Sequence, residues 1–103
     1  MYHGVNGKLR AKAGEGGRLL AILLEAARGM EEVDGCLCYL VGTEPEKPEE
    51  VWVFEVWESE AAHQDSLRLP VFRTLIAQAM PLIDGMENLP SLAIHGGKTR
   101  PIR

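Results

Sequence analysis

The stretch from Val51 to Ile83, VWVFEVWESEAAHQDSLRLPVFRTLIAQAMPLI, constrains the fold more than any other part of the chain. Val51 to Glu58 is dense in β-branched and aromatic residues, which suit a pleated, largely buried surface. Alternation puts Trp52, Phe54 and Val56 on one face and Val51, Val53, Glu55 and Trp57 on the other. Both faces are mostly apolar, so the sequence predicts an inner strand covered on both sides. Ser59 offers its hydroxyl to a helix N-terminus, and Glu60 supplies negative charge in the first turn. The helix that follows brings His63, Ser66 and Leu67 to one face, at spacings of three and four. Pro70 removes a backbone donor and crowds the preceding turn, so the helix breaks and restarts with Pro70 near its first position. The restarted helix carries Val71, Phe72, Leu75, Ile76, Ala79, Leu82 and Ile83 as an apolar stripe, and Asp84-Gly85 closes it.

The remaining elements are read in the same way. Tyr2 to Ala13 predicts a first strand with Val5, Leu9, Ala11 and Ala13 on one face. Gly14, Gly16 and Gly17 form a turn needing positive φ angles. Neither phosphate-binding glycine spacing is present there, and the Gly97-Lys98-Thr99 triplet fails the same test. Arg18 to Met30 predicts a helix whose apolar surface exceeds half its circumference, which calls for a second helix alongside or a subunit contact. Asp34-Gly35 turns into a strand from Cys36 to Val41. Gly42 to Glu50, with two prolines and four glutamates, reads as a solvated loop. Ser91 to His95 reads as a last short strand.

Composition excludes several classes of function. A chain of 103 residues is one domain, 1–103, and residues 98–103 read as a flexible tail. The net charge of −4 argues against nucleic-acid partners. No apolar run reaches the roughly 20 residues that span a bilayer, and no secretion signal is evident, so no membrane partner and a cytoplasmic location are expected. Cys36 and Cys38, two apart on one strand, are expected on the same face as buried thiols, with no metal site.

The order strand, helix, strand, strand, helix, strand predicts an α+β fold, the ferredoxin-like βαββαβ protomer with an antiparallel sheet and both helices on one face. The other sheet face is left bare although strand three is apolar on both sides. A second copy across a twofold axis would cover it.

Particular residues then carry a likeness. They are Gly35-Cys36-x-x-Tyr39, Glu55-Val56-Trp57, Glu60-Ala61-Ala62-His63-x-x-Ser66-Leu67-x-Leu69-Pro70, Pro81-Leu82-Ile83 and His95-Gly96. Through them the chain, roughly Tyr2 to Gly96, resembles the antibiotic biosynthesis monooxygenases, in particular the quinol monooxygenase branch. The resemblance implies a homodimer whose two sheets form a shared α/β-barrel. It also implies oxidation of a quinol, or a similar phenolic or polycyclic aromatic substrate, by O₂ with no cofactor. Where many relatives carry a histidine nine residues after the position of Trp57, this chain has Ser66, and its histidine stands at His63. The residues of haem-degrading members are missing at about Gly7, Ser66 and Ile76.

An electron-rich phenolate reduces O₂ by itself, so the protein need only bind, desolvate and deprotonate it. His63 is the candidate catalytic base. Trp57 and Ser66 are candidate substrate-binding residues beside it. Tyr39 or Arg73 would polarise a substrate oxygen, and Asn6 would reach the pocket from strand one. Glu55, on a buried strand, is expected in a salt bridge with Arg73 or Arg68. The competing reading is a non-catalytic small-molecule binding or sensing protein on the same scaffold. A third reading is a subunit whose pocket is filled by its own side chains; an open pocket bounded by His63, Trp57 and Ser66 would favour the enzyme, and a closed, packed one the two non-enzymatic readings.

Overall fold

The computed structural model describes residues 1–99. Its elements are β1 (Tyr2–Ala11), α1 (Gly16–Gly29), β2 (Cys36–Glu44), β3 (Lys47–Trp57), α2 (Glu60–Ser66), α3 (Pro70–Ala79), β4 (Ile83–Asn88) and β5 (Leu92–Ile94). Every strand pairing is antiparallel. The sheet order is β2-β3-β1-β4, with β5 continuing alongside β1. This is the ferredoxin-like α+β fold, with the second helix and the last strand each divided in two. The tail expected from Lys98 onward falls partly on residues 100–103, which lie outside the described residues.

β3 takes its inner place because both of its neighbours are long strands, and its two faces differ. Val51, Val53 and Trp57 are buried under the helices, while Trp52, Phe54 and Val56 are only half-buried on the open side. The core between sheet and helices has two apolar clusters. One gathers Ala11, Leu19, Val51, Ala79 and Leu82; the other gathers Ala26, Met30, Trp57, Phe72 and Leu75. The wide apolar surface of α1 is shared between the sheet and α3, as its excess over one sheet face required.

Local signals hold where they are strongest. The hydroxyl of Ser59 accepts the Ala62 N–H at 3.0 Å and starts α2. Leu69 is extended and Pro70 opens α3. Of the glycines after β1, only Gly14 takes a positive φ, at 79°. α1 starts at Gly16, whose N–H donates to the Glu49 carboxylate at 2.8 Å.

Four expectations are corrected. The helix closed by Asp84-Gly85 instead ends at Ala79, followed by a 3₁₀ turn over Met80–Leu82. Pro81 cannot donate the next helical hydrogen bond. The chain straightens into β4 and fills the free edge of β1 between Gly7 and Ala11. The loop from Gly42 to Glu50 is instead a hairpin: β2 and β3 run on to Glu44 and Lys47 and leave only Pro45 and Glu46 as the turn. Its side chains are mostly exposed, as its acidity suggests. Cys36 and Cys38 do not share a face. A bulge pairs Cys36 with Trp57 and Cys38 with Val56, and this extra residue sends the two thiols to opposite sides of the sheet. Finally, β1 stops at Ala11, two residues early, where the glycine turn begins.

Candidate active site

One end of the layer between sheet and helices gathers side chains that an apolar core has no use for. β3 delivers Glu55 and Trp57 to the helix side. The register sets Val5 and Tyr39 opposite Glu55, and His3 and Cys36 opposite Trp57. α2 then lays His63 over them. α2 sits this close because Gly35 has no side chain: a Cβ there would stand 2.9 Å from Ala62 Cβ.

The polar contacts form a chain. Trp57 Nε1 donates to Glu55 Oε1 at 2.9 Å, and the same oxygen lies 3.6 Å from His63 Nε2. The ring centroids of Trp57 and His63 are 5.4 Å apart, and those of His3 and His63 are 6.2 Å apart. Ser66 Oγ donates to the His63 carbonyl at 2.7 Å, fixing the last turn of α2 beneath the imidazole. Among the described residues, no three His, Cys, Asp or Glu side chains are grouped to hold a metal ion.

Burial sets the protonation of these groups. It holds the Glu55 carboxyl above the usual carboxylate range, and the Trp57 indole N–H partly offsets this. It pushes the Tyr39 phenol well above its ordinary value, with the Glu55 charge adding to the effect. It raises the Cys36 thiol to about 11, and it raises the Cys38 thiol as well. His63 moves the other way: burial lowers it first and His3 next, while Glu60 pulls it back up. At neutral pH His63 is therefore an uncharged imidazole able to accept a proton, and Tyr39 keeps its hydroxyl proton as a donor.

The structure brings His63, Trp57, Ser66 and Tyr39 to this corner. It places Asn6 on the opposite face of the sheet, level with Phe54, where its amide donates to the Pro90 carbonyl at 3.2 Å. Arg73 is exposed on α3. Glu55 pairs with neither Arg73 nor Arg68: its partners are Trp57 and His63, and Arg68 lies 3.8 Å from Asp65. The corner is packed. Trp57 is 0% and Ser66 3% exposed, so these two present no surface to solvent. A depression of about 370 Å³ opens beside it, lined by Tyr2, His3, Glu58, Ser59, Glu60 and Leu92 among others.

Two contacts of this corner are not given by the sequence pattern: His3 beside His63, and Glu55 as the partner of His63. The i, i+8 spacing of Glu55 and His63 across the Ser59 cap was the available sign for one. The other depends on strand register.

With this geometry in view, the sequence profile of the antibiotic biosynthesis monooxygenase family matches residues 2–78. The chain belongs to that family. A crystal structure of a candidate antibiotic biosynthesis monooxygenase from Chloroflexus aurantiacus is 36% identical, with a TM-score of 0.82 over 96% of this chain and 98% of that one. One from Deinococcus radiodurans is 26% identical, with a TM-score of 0.74 over 100% and 99% of the two chains. A third, from Bacteroides thetaiotaomicron, shares the fold with a TM-score of 0.86 at 18% identity, over 97% and 96%. No curated protein matches. Family membership supports a general monooxygenase-like role. Among the described residues, no helix is long and apolar enough to cross a membrane.

Proposed function

We propose that this antibiotic biosynthesis monooxygenase family member oxidises a quinol or similar phenolic or polycyclic aromatic compound with O₂ in the cytoplasm, using no cofactor, and that His63 is its base. The observation that carries this reading is the His63 imidazole held 3.6 Å from the Glu55 carboxyl, which Trp57 in turn anchors.

The chemistry balances without a further reductant. The substrate O–H bond breaks and its proton goes to His63. The phenolate gives one electron to O₂, and the resulting radical pair joins at ring carbon as a peroxide. The peroxide takes back one proton and loses water, which from a quinol leaves a hydroxyquinone: one oxygen atom enters the product, the other leaves as water, and the substrate supplies all four electrons. Glu55 favours the imidazolium that forms on His63, and Tyr39, kept protonated, is placed to donate to the oxygen that becomes a carbonyl. Trp57 and Ser66 form the buried floor behind His63.

A homodimer belongs to this reading. Leu40, opposite Phe54 in the register, is 40% exposed on the side of the sheet away from the helices, where Trp52, Phe54 and Val56 are only half-buried. A second copy laid on this face across a twofold axis would bury them. Light scattering should return twice the chain mass; a monomer would remove this part of the proposal.

The second reading, a binding or sensing protein on the same scaffold, is favoured by the closed state of Trp57 and Ser66. O₂ uptake with a panel of reduced quinones and polyphenols, corrected for autoxidation, separates the two. Saturable uptake supports the enzyme, and none across a chemically broad panel supports the binder.

A further inference from the structure

We infer that His3 carries the proton of His63 to solvent, so that the two imidazoles form a relay ending in the depression beside Ser59. The inference rests on His63 acting as the base.

His63 must stand uncharged to take the next substrate's proton, so between turnovers its ring proton has to equilibrate with solvent. His63 is poorly placed to release it directly, because only 16% of its side chain is exposed. On its inner side stands Glu55, itself 14% exposed and tied to Trp57, with Tyr39 and Cys36 of β2 behind it. That direction leads into the core. On its other side stands His3, presented by β1 because its register sets it opposite Trp57. The two imidazole centroids lie 6.2 Å apart with their planes inclined by 37°. That separation leaves room for about one bridging water between ring nitrogens.

His3 also lines the open depression, together with Glu58, Ser59 and Glu60. It therefore touches the closed corner on one side and solvent on the other. Glu58 and Glu60 favour a positive charge as it emerges there. In the step itself an N–H bond of the His63 imidazolium breaks, its proton joins the bridging water, and that water gives a proton to a His3 nitrogen. His3 then releases a proton to solvent, and no electrons move. His3 touches no substrate; its role is that of a positioning and relay group acting through His63.

The test compares the full chain with its His3→Gln variant. It follows exchange between the His63 ring proton and water by ¹⁵N-edited NMR, which needs no substrate. The expected result is exchange slowed about a hundredfold in His3→Gln, the lower end of the usual range for losing a proton-transfer group, and restored by added imidazole at constant pH. His3→Asn, with circular dichroism to confirm folding, should behave in the same way. Unchanged exchange would overturn the relay, and so would a loss that imidazole does not rescue. O₂ uptake with 1,4-naphthohydroquinone separates the two ideas. If the wild type takes up no O₂ while exchange still depends on His3, the base reading falls and the proton connection stands. If uptake is present and neither uptake nor exchange depends on His3, the relay falls and the base stands.

Discussion

The two apolar clusters between sheet and helices are built from the same strands and helices, yet they differ in kind. Around Leu19 and Val51 the packing is wholly apolar, and both residues are 0% exposed. Around Trp57 and Phe72 the same layer holds Glu55, His63, Ser66, Tyr39 and Cys36 within or against the cluster. Burying polar groups costs free energy that an aliphatic residue would not. The dry end shows that this fold can close its core without them. Their gathering at one end is what singles that end out for the proposed site.

The first way to break this contrast is at the dry end. Leu19→Ala should lower unfolding free energy by about 4 kcal/mol, since Leu19 is fully buried. Urea unfolding checks this, and the His63 NMR titration of the folded fraction should stay unchanged. A shifted titration would mean that the two ends are not separate.

Trp57→Phe should have a smaller effect, about 2 kcal/mol, because the ring is largely replaced while Glu55 loses its indole donor. The distinguishing sign is at Glu55: its carboxyl should move further up in ¹³C NMR. No movement would mean that the 2.9 Å hydrogen bond does not govern its ionisation.

The smallest effect is a pH dependence that the dry end lacks. The raised Glu55 carboxyl binds its proton more tightly in the folded chain. Its contribution to stability is complete below the ordinary carboxyl value of 4.5 and is lost as pH rises through the folded value. His63, lowered on folding, runs the opposite way: its contribution is complete above the ordinary imidazole value of 6.5 and is lost as pH falls through the folded value. Glu55→Gln removes the first and keeps the second. Its stability relative to wild type should therefore rise as pH climbs above the ordinary carboxyl value of 4.5 and level off above the folded value. A difference that stays flat in chemical denaturation would show that Glu55 is not held in its buried form.

What the sequence made legible was local. The two faces of β3, the Ser59 cap and the restart at Pro70 each depend on a few neighbouring residues, and each was readable. β4 was hidden because the apolar spacing of α3 runs on through Leu82 and Ile83. The overlooked sign was Pro81, which ends the helix. The opposed cysteines follow from a bulge, a single unpaired residue that composition does not encode. In the site, His63, Trp57 and Ser66 were grouped by strand and helix spacing, whereas Tyr39 reaches the same side of the sheet only through the bulge after Cys36. Asn6 and Arg73 lie elsewhere because the side of a strand or helix a residue faces is set by register and packing. Glu55 was expected beside an arginine, since an acid on a buried strand calls for a charged partner. The structure answers that need with an indole N–H and an imidazole instead.

The most direct test of the proposed site is O₂ consumption by the purified, metal-stripped protein with reduced quinones, run beside His63→Ala. The account predicts saturable uptake above autoxidation, reduced about a hundredfold or more in His63→Ala with the fold intact. Equal uptake by both proteins would remove His63 from the chemistry, and absence of uptake in the wild type would contradict the oxidase reading and leave the binding protein.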